Sequence, residues 1–294
     1  MGESSWLVSM RLPRATELLA CGDPHPMYSS LELSPAALAL LLASLVSCRS
    51  APTISTELPS AAEGYELTFS DEFSGTQLDM TRWRHRSLGP RRLGVVVEEA
   101  TALNGEGQLE MSLTQVGEQY HIAQISTQRT FLQRFGYFEC RARVNHELGA
   151  HTAFWLQSPA LGEGVDNPAV FGTEIDIFEY HVNQGRSWVY HNLHWNGYGA
   201  EHRQAGARVE ITGIDRGYHT FGLLWTADEY VFFVDGRESW RSTEAVSHIP
   251  EYMILSVELS GWGGDVSQAD LPDEILFDYV RVYQAPAGIQ QTGH

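Results

Sequence analysis

Gly172-Thr173-Glu174-Ile175-Asp176-Ile177-Phe178-Glu179-Tyr180 is an apolar, β-prone run with three carboxylates inside six residues. Ile175, Ile177, Phe178 and Tyr180 favour a strand. Side chains of a strand alternate between its two faces, so Glu174 and Asp176 share a face with position 178 and Glu179 points the other way. One extra residue in a β-bulge returns Glu179 to the face of the first two acids. An ordinary strand with acids on its solvated face accounts for Glu174 and Asp176 but leaves Phe178 in water. Three carboxylates on one face repel one another, so at least one is expected to keep its proton to an unusually high pH. A protonated acid beside an ionised one is the arrangement that glycosidic bond cleavage requires.

The segments around this run are also strands. Residues 65–73 alternate, and a Ser-Gly-Thr turn separates them from residues 78–83. Residues 95–97, 109–113, 120–126 and 135–144 follow as β-prone runs with turn signals between them, such as Asn104-Gly105-Glu106-Gly107. Beyond the acids, alternation over residues 188–199 puts His191, Leu193 and Trp195 on one face and Asn192, His194 and Asn196 on the other. His191 and His194 therefore do not form a chelating pair. Residues 219–226 and 230–237 read as a hairpin, and residues 253–264 and 277–283 as the last strands. Strands at short, regular spacing with no sustained helical period predict an all-β sandwich or barrel.

Composition narrows the function. The chain has 294 residues and a formal net charge of −18, from 19 basic and 37 acidic residues. That argues against nucleic acid, which needs basic patches. It also disfavours a polyanionic substrate, unless a local arginine cluster overrides the net charge. All the basic residues are arginine. Of the cysteines, Cys21 and Cys48 precede the domain, so Cys140 is alone within it and reads as a packed thiol. His146-Glu147-Leu148-Gly149-Ala150-His151 spaces its histidines five apart around a glycine; a zinc-protease helix needs them four apart on one face. No nucleophile elbow, phosphate-binding loop or dinucleotide fingerprint is present.

The string Glu174-Ile175-Asp176-Ile177-Phe178-Glu179 resembles the signature of glycoside hydrolase family 16 in its bulged form. The blocks at residues 65–83, 135–143, 153–156, 219–237 and 277–283 are similar to that family's blocks, in the same order. The resemblance covers residues 65–284. It implies a concanavalin-like β-jelly-roll sandwich of two antiparallel sheets with a substrate cleft across the concave sheet. It further implies a retaining, endo-acting β-glycan hydrolase with Glu174 as nucleophile, Glu179 as acid and base, and Asp176 between them. The implied substrate is a polysaccharide, a β-1,3- or mixed-linkage glucan first and a galactan such as agarose or porphyran as the alternative. A non-catalytic sugar-binding jelly roll and a transglycosylase are further alternatives. Trp155, Trp195 and Trp262 fall in the blocks nearest the implied cleft, and His194 resembles its histidine position. No organic cofactor is implied. Some family members carry a structural calcium, and Asp278 resembles one ligand position. Glu258 is a fourth acid, at a place where many relatives carry a small residue.

The remaining segments lie at the ends. Residues 35–46 form an apolar run too short to span a bilayer, and it fits the core of a secretion signal. It runs into Leu45-Val46-Ser47-Cys48, which resembles a lipobox with Cys48 as the lipidated residue. The expected organisation is a leader over 1–48, a Ser/Thr/Pro/Ala-rich linker over 49–62, the hydrolase-like domain over 63–285 and a tail over 286–294. The expected location is the bacterial cell envelope or the outside of the cell, with membrane contact only through the lipid.

Overall fold

The computed structural model describes residues 62–286. The leader with Cys48, almost all of the linker and nearly all of the tail lie outside the described residues. Among the described residues no helix is long and apolar enough to cross a membrane. In chain order the strands are β1 (Glu66–Asp71), β2 (Arg84–His85), β3 (Gly89–Arg91), β4 (Gly94–Val96), β5 (Thr101–Leu103), β6 (Leu109–Val116), β7 (Gln119–Ser126), β8 (Gly136–Arg143), β9 (Ala150–Gln157), β10 (Glu174–Tyr180), β11 (Trp188–Trp195), β12 (Arg203–Glu210), β13 (His219–Trp225), β14 (Tyr230–Val234), β15 (Arg237–Ser242), β16 (Tyr252–Leu259) and β17 (Asp273–Gln284).

These strands form the expected sandwich. One layer runs β12-β11-β10-β9-β16-β7-β2, with antiparallel neighbours throughout. The other runs β15-β14-β13-β8-β17. The twelve-residue β17 is long enough for its far edge to pair with both β6 and β1. The β6–β7 hairpin joins the layers, and β4 adds one parallel pairing, to β7.

Period-two alternation builds the core between the layers. Phe154 and Leu156 of β9, and Met253, Leu255, Val257 and Leu259 of β16, face Phe138, Cys140, Phe221, Leu223, Phe277 and Val280 of the opposite layer. Cys140 is fully buried there, and burial pushes its thiol well above the usual range, as suits a packing residue. The alternate residues of β9 and β16 therefore face the other side of their layer, where the cavity lies.

Two segments without apolar alternation also carry strands. Residues 196–217 contain β12, an edge strand that pairs with β11 over its whole length. Its sequence, Arg203-Gln204-Ala205-Gly206-Ala207-Arg208-Val209-Glu210, is small and polar because an edge strand buries only part of one face. Residues 84–94 contain β2 and β3, which are too short to show a period.

Candidate active site

The register of β10 breaks after Asp176 against both neighbours. Before the break, Glu174 pairs with His194 and Asp176 with Asn192; after it, Glu179 pairs with Tyr190. Two consecutive residues, Ile177 and Phe178, enter the core together with Ile175 and Tyr180. Phe178 stacks on Phe221 with 3.8 Å between ring centroids. The bulge thus removes the conflict in the sequence pattern: Phe178 is buried, and Glu179 joins Glu174 and Asp176 on the cavity wall. At the bulge, His191 Nδ1–H donates to the Ile177 carbonyl at 2.7 Å, while its Nε2 accepts from Ser239 Oγ. Burial lowers the His191 pKa to about 4, so the ring is neutral and structural.

The cavity measures about 690 Å³. Each acid has its own partners. Glu174 Oε2 accepts from Gln157 Nε2 at 2.9 Å and from the Tyr198 hydroxyl. Asp176 Oδ2 lies 3.4 Å from His194 Nε2. Glu179 Oε1 lies 2.8 Å from His151 Nε2, and its Oε2 accepts from Asn192 Nδ2. Gln157 ties the Glu174 side together, because its Oε1 also accepts from Arg86 and from the Tyr252 hydroxyl.

Burial, and then repulsion from Asp176, push the Glu174 carboxyl up to about 8. Burial, followed by Glu179 and Glu258, raises Asp176 well above its ordinary value. Burial also acts on Glu179, but His151 and Asn192 outweigh it and hold that carboxyl below its usual range. The acids titrate as a set. In the free cleft Glu174 and Asp176 hold the protons, and Glu179 is ionised against His151.

This arrangement makes His151 a handle on Glu179. Replacing it in His151→Gln removes the partner that holds Glu179 low and raises the Glu179 pKa. If Glu179 must be protonated to donate, the basic limb of the kcat/KM profile moves to higher pH. An acid limb that moves up instead would show that Glu179 works ionised.

The other expected site residues divide. Trp155 and Trp262 line the cavity, as does His194. Trp155 is nearly buried, with Nε1 donating to Ser256 Oγ, whereas Trp262 is 57% exposed. Trp195 is a correction. It packs against the core, because alternation along β11 puts it on the Leu193 side. Asp278 is a second correction, since its carboxylate is paired with Arg141, and a guanidinium competes with a cation for the same oxygens. Among the described residues, Glu174, Asp176 and His194 bring ligand atoms within 4.8 Å of one another, but their hydrogen bonds already account for that grouping. Glu258 also lies on the cavity wall.

Several lining residues escape a reading by motif. His151 and Gln157 lie on the Trp155 face of β9, and parity with Trp155 is the signal that finds them. Tyr198, His202, Arg86, Arg91 and Arg92 come from the segments 196–217 and 84–94, and nothing in their local pattern points to a cleft.

The two-layer β-sandwich thus gathers three carboxylates, one of them held by a histidine, and an exposed indole into one cavity. The chain belongs to the glycosyl hydrolases family 16, whose model matches residues 91–281. It is similar to the endo-1,3-1,4-beta-glycanase EglC of Rhizobium meliloti, 33% identical over 174 residues, which are 58% of this chain and 35% of that protein. It is also similar to the keratan-sulfate endo-1,4-beta-galactosidase of Sphingobacterium multivorum, 28% identical over 77% of this chain and 57% of that protein. The chain thus spans about a third to somewhat over half the length of these curated relatives. Among solved structures, SCLam, a non-specific endo-beta-1,3(4)-glucanase of the family, matches with a TM-score of 0.64 and 26% identity, covering 78% of this chain and 94% of that one.

Proposed function

We propose that the chain is a retaining, endo-acting β-glycan hydrolase whose backbone substrate is a β-1,3- or mixed-linkage glucan. The observation that carries this reading is the β10 bulge, which puts Glu174, Asp176 and Glu179 on one cavity wall. Glu174 attacks the anomeric carbon, and the leaving oxygen takes a proton from Glu179. A covalent glycosyl-enzyme forms, and Glu179 then removes a proton from the water that releases the sugar. Asp176 holds a proton beside Glu174, which lets Glu174 be ionised in that buried position. The productive state therefore carries two protons among the three acids, on Asp176 and on Glu179. Charge developing on the sugar favours the ionised form of Glu174 once substrate is seated. The likeness to SCLam, an endo-beta-1,3(4)-glucanase, supports the glucan reading, and the keratan-sulfate enzyme supports a β-galactan as the second.

Reducing-end release by the purified chain against laminarin, lichenan, agarose, porphyran, carrageenan and keratan sulfate tests this reading. Release from a β-glucan is the expected result. Silence on every polymer, with binding to one of them intact, would replace it with a sugar-binding role.

A further inference from the structure

The chain carries a large excess of acid, yet one stretch of the cavity wall is basic. Arg86, Arg91 and Arg92 all line the cavity, and all come from the segment between β2 and β4. Glu258 is the acid that binds two of them. Arg91 donates to its Oε1 through Nε at 2.9 Å and Nη2 at 2.6 Å, and Arg92 Nε donates to its Oε2 at 2.7 Å. Gln124 completes the shell of this nearly buried carboxylate. Burial by itself would raise Glu258, but the two guanidinium groups overcome that and keep it ionised.

Two full positive charges on one negative charge leave a surplus at this corner. Arg86 adds to it, because its hydrogen bonds go to Ser87, Gln124 and Gln157, none of them charged. Among the described residues no acceptor engages the Nη atoms of Arg92, and its side chain is 49% exposed. Glu258 fixes the Nε edge of Arg92, which leaves the outer edge of the guanidinium for another acceptor. That guanidinium also lies 5.4 Å from the ring centroid of Trp262. Trp262 is itself 5.6 Å from the His151 ring, which holds Glu179. An exposed indole is a platform for the flat face of a sugar, and the free edge of Arg92 is beside it. Neutral hydroxyls do not call for a surplus of guanidinium charge, whereas a sulfate ester or a carboxylate does, because it accepts a two-pronged hydrogen bond from such a group.

We propose that Arg92, oriented by Glu258 and supported by Arg91, is a binding site for an anionic substituent on a sugar stacked against Trp262, and that this site selects charged over neutral forms of the same backbone. The proposal rests on reading the cavity as a glycan cleft, and it adds the charge class of the substrate. The local arginine cluster overrides the repulsion that the net charge would impose on a polyanion.

The test uses the full chain with one backbone in three forms: laminarin, carboxymethyl-laminarin and laminarin sulfate. The wild type is expected to show kcat/KM about tenfold higher on an anionic form, a preference of the size that one charge-assisted contact supplies. That preference should shrink as salt rises, and Arg92→Gln should bring the ratio of charged to neutral turnover close to one. Preference for the carboxylate or for the sulfate form identifies the source of the charge. A wild type that favours neutral laminarin, or a ratio that Arg92→Gln does not move, would overturn the site. If laminarin in every form resists cleavage, the β-1,3-glucan reading fails by itself. Affinity electrophoresis of wild type and Arg92→Gln against the same polymers then judges the anion site, with retardation by the charged forms expected for the wild type alone. Equal migration of both proteins in every gel would overturn it.

Discussion

Glu174→Gln is expected to lower kcat/KM on the cleaved polymer by about 10⁴-fold or more, the scale seen when a nucleophile is removed from a group that acts as a unit. That factor corresponds to about 5.5 kcal/mol of transition-state stabilisation. Glutamine keeps the shape of the side chain but cannot form the glycosyl-enzyme. Fold stability should not fall with it, because Glu174 is a buried acid under repulsion from Asp176, and the neutral amide removes that repulsion. Steady-state kinetics beside a denaturant melt separate the two effects. A variant with unchanged melting and near-wild-type kcat/KM would remove Glu174 from the nucleophile role.

Phe178→Ala should destabilise the fold by about 3–5 kcal/mol, the range for truncating a large buried aromatic side chain. Phe178 is fully buried and stacked on Phe221, so the change empties a space between the two layers. It also loses the apolar residue that anchors the bulge. Domain stabilities run to about 5–15 kcal/mol, so this one substitution removes a large share. Chemical denaturation monitored by tryptophan fluorescence measures it. A loss below about 1 kcal/mol would mean that Phe178 does not hold the layers together.

The acid triplet was legible because its pattern contained a contradiction. Phe178 cannot face water, and a bulge is the local device that satisfies both Phe178 and Glu179. The sandwich was legible wherever a strand buries one face and not the other, as in β6 and β11. It was not legible in β12, where an edge strand of small and polar residues lacks the apolar alternation. Trp195 shows the cost of reading a residue type before its parity: alternation along β11 had already grouped it with Leu193 on the core side. His151 shows the converse. A failed zinc motif set it aside, although its parity with Trp155 places it on the cleft face. Arg91 and Arg92 follow no periodic pattern, and only the tertiary fold brings them against Glu258.

The division of labour between Glu174 and Glu179 is the central claim, and the free cleft, with Glu179 ionised against His151, makes it a demanding one. Azide rescue tests it most directly, using an aryl β-glycoside of the cleaved backbone. Glu174→Ala should yield the α-glycosyl azide, because azide then attacks from the face that the nucleophile has vacated. Glu179→Ala should yield the β-glycosyl azide, because azide then takes the place of water on the covalent intermediate. The opposite pairing of variants and anomers would contradict the account.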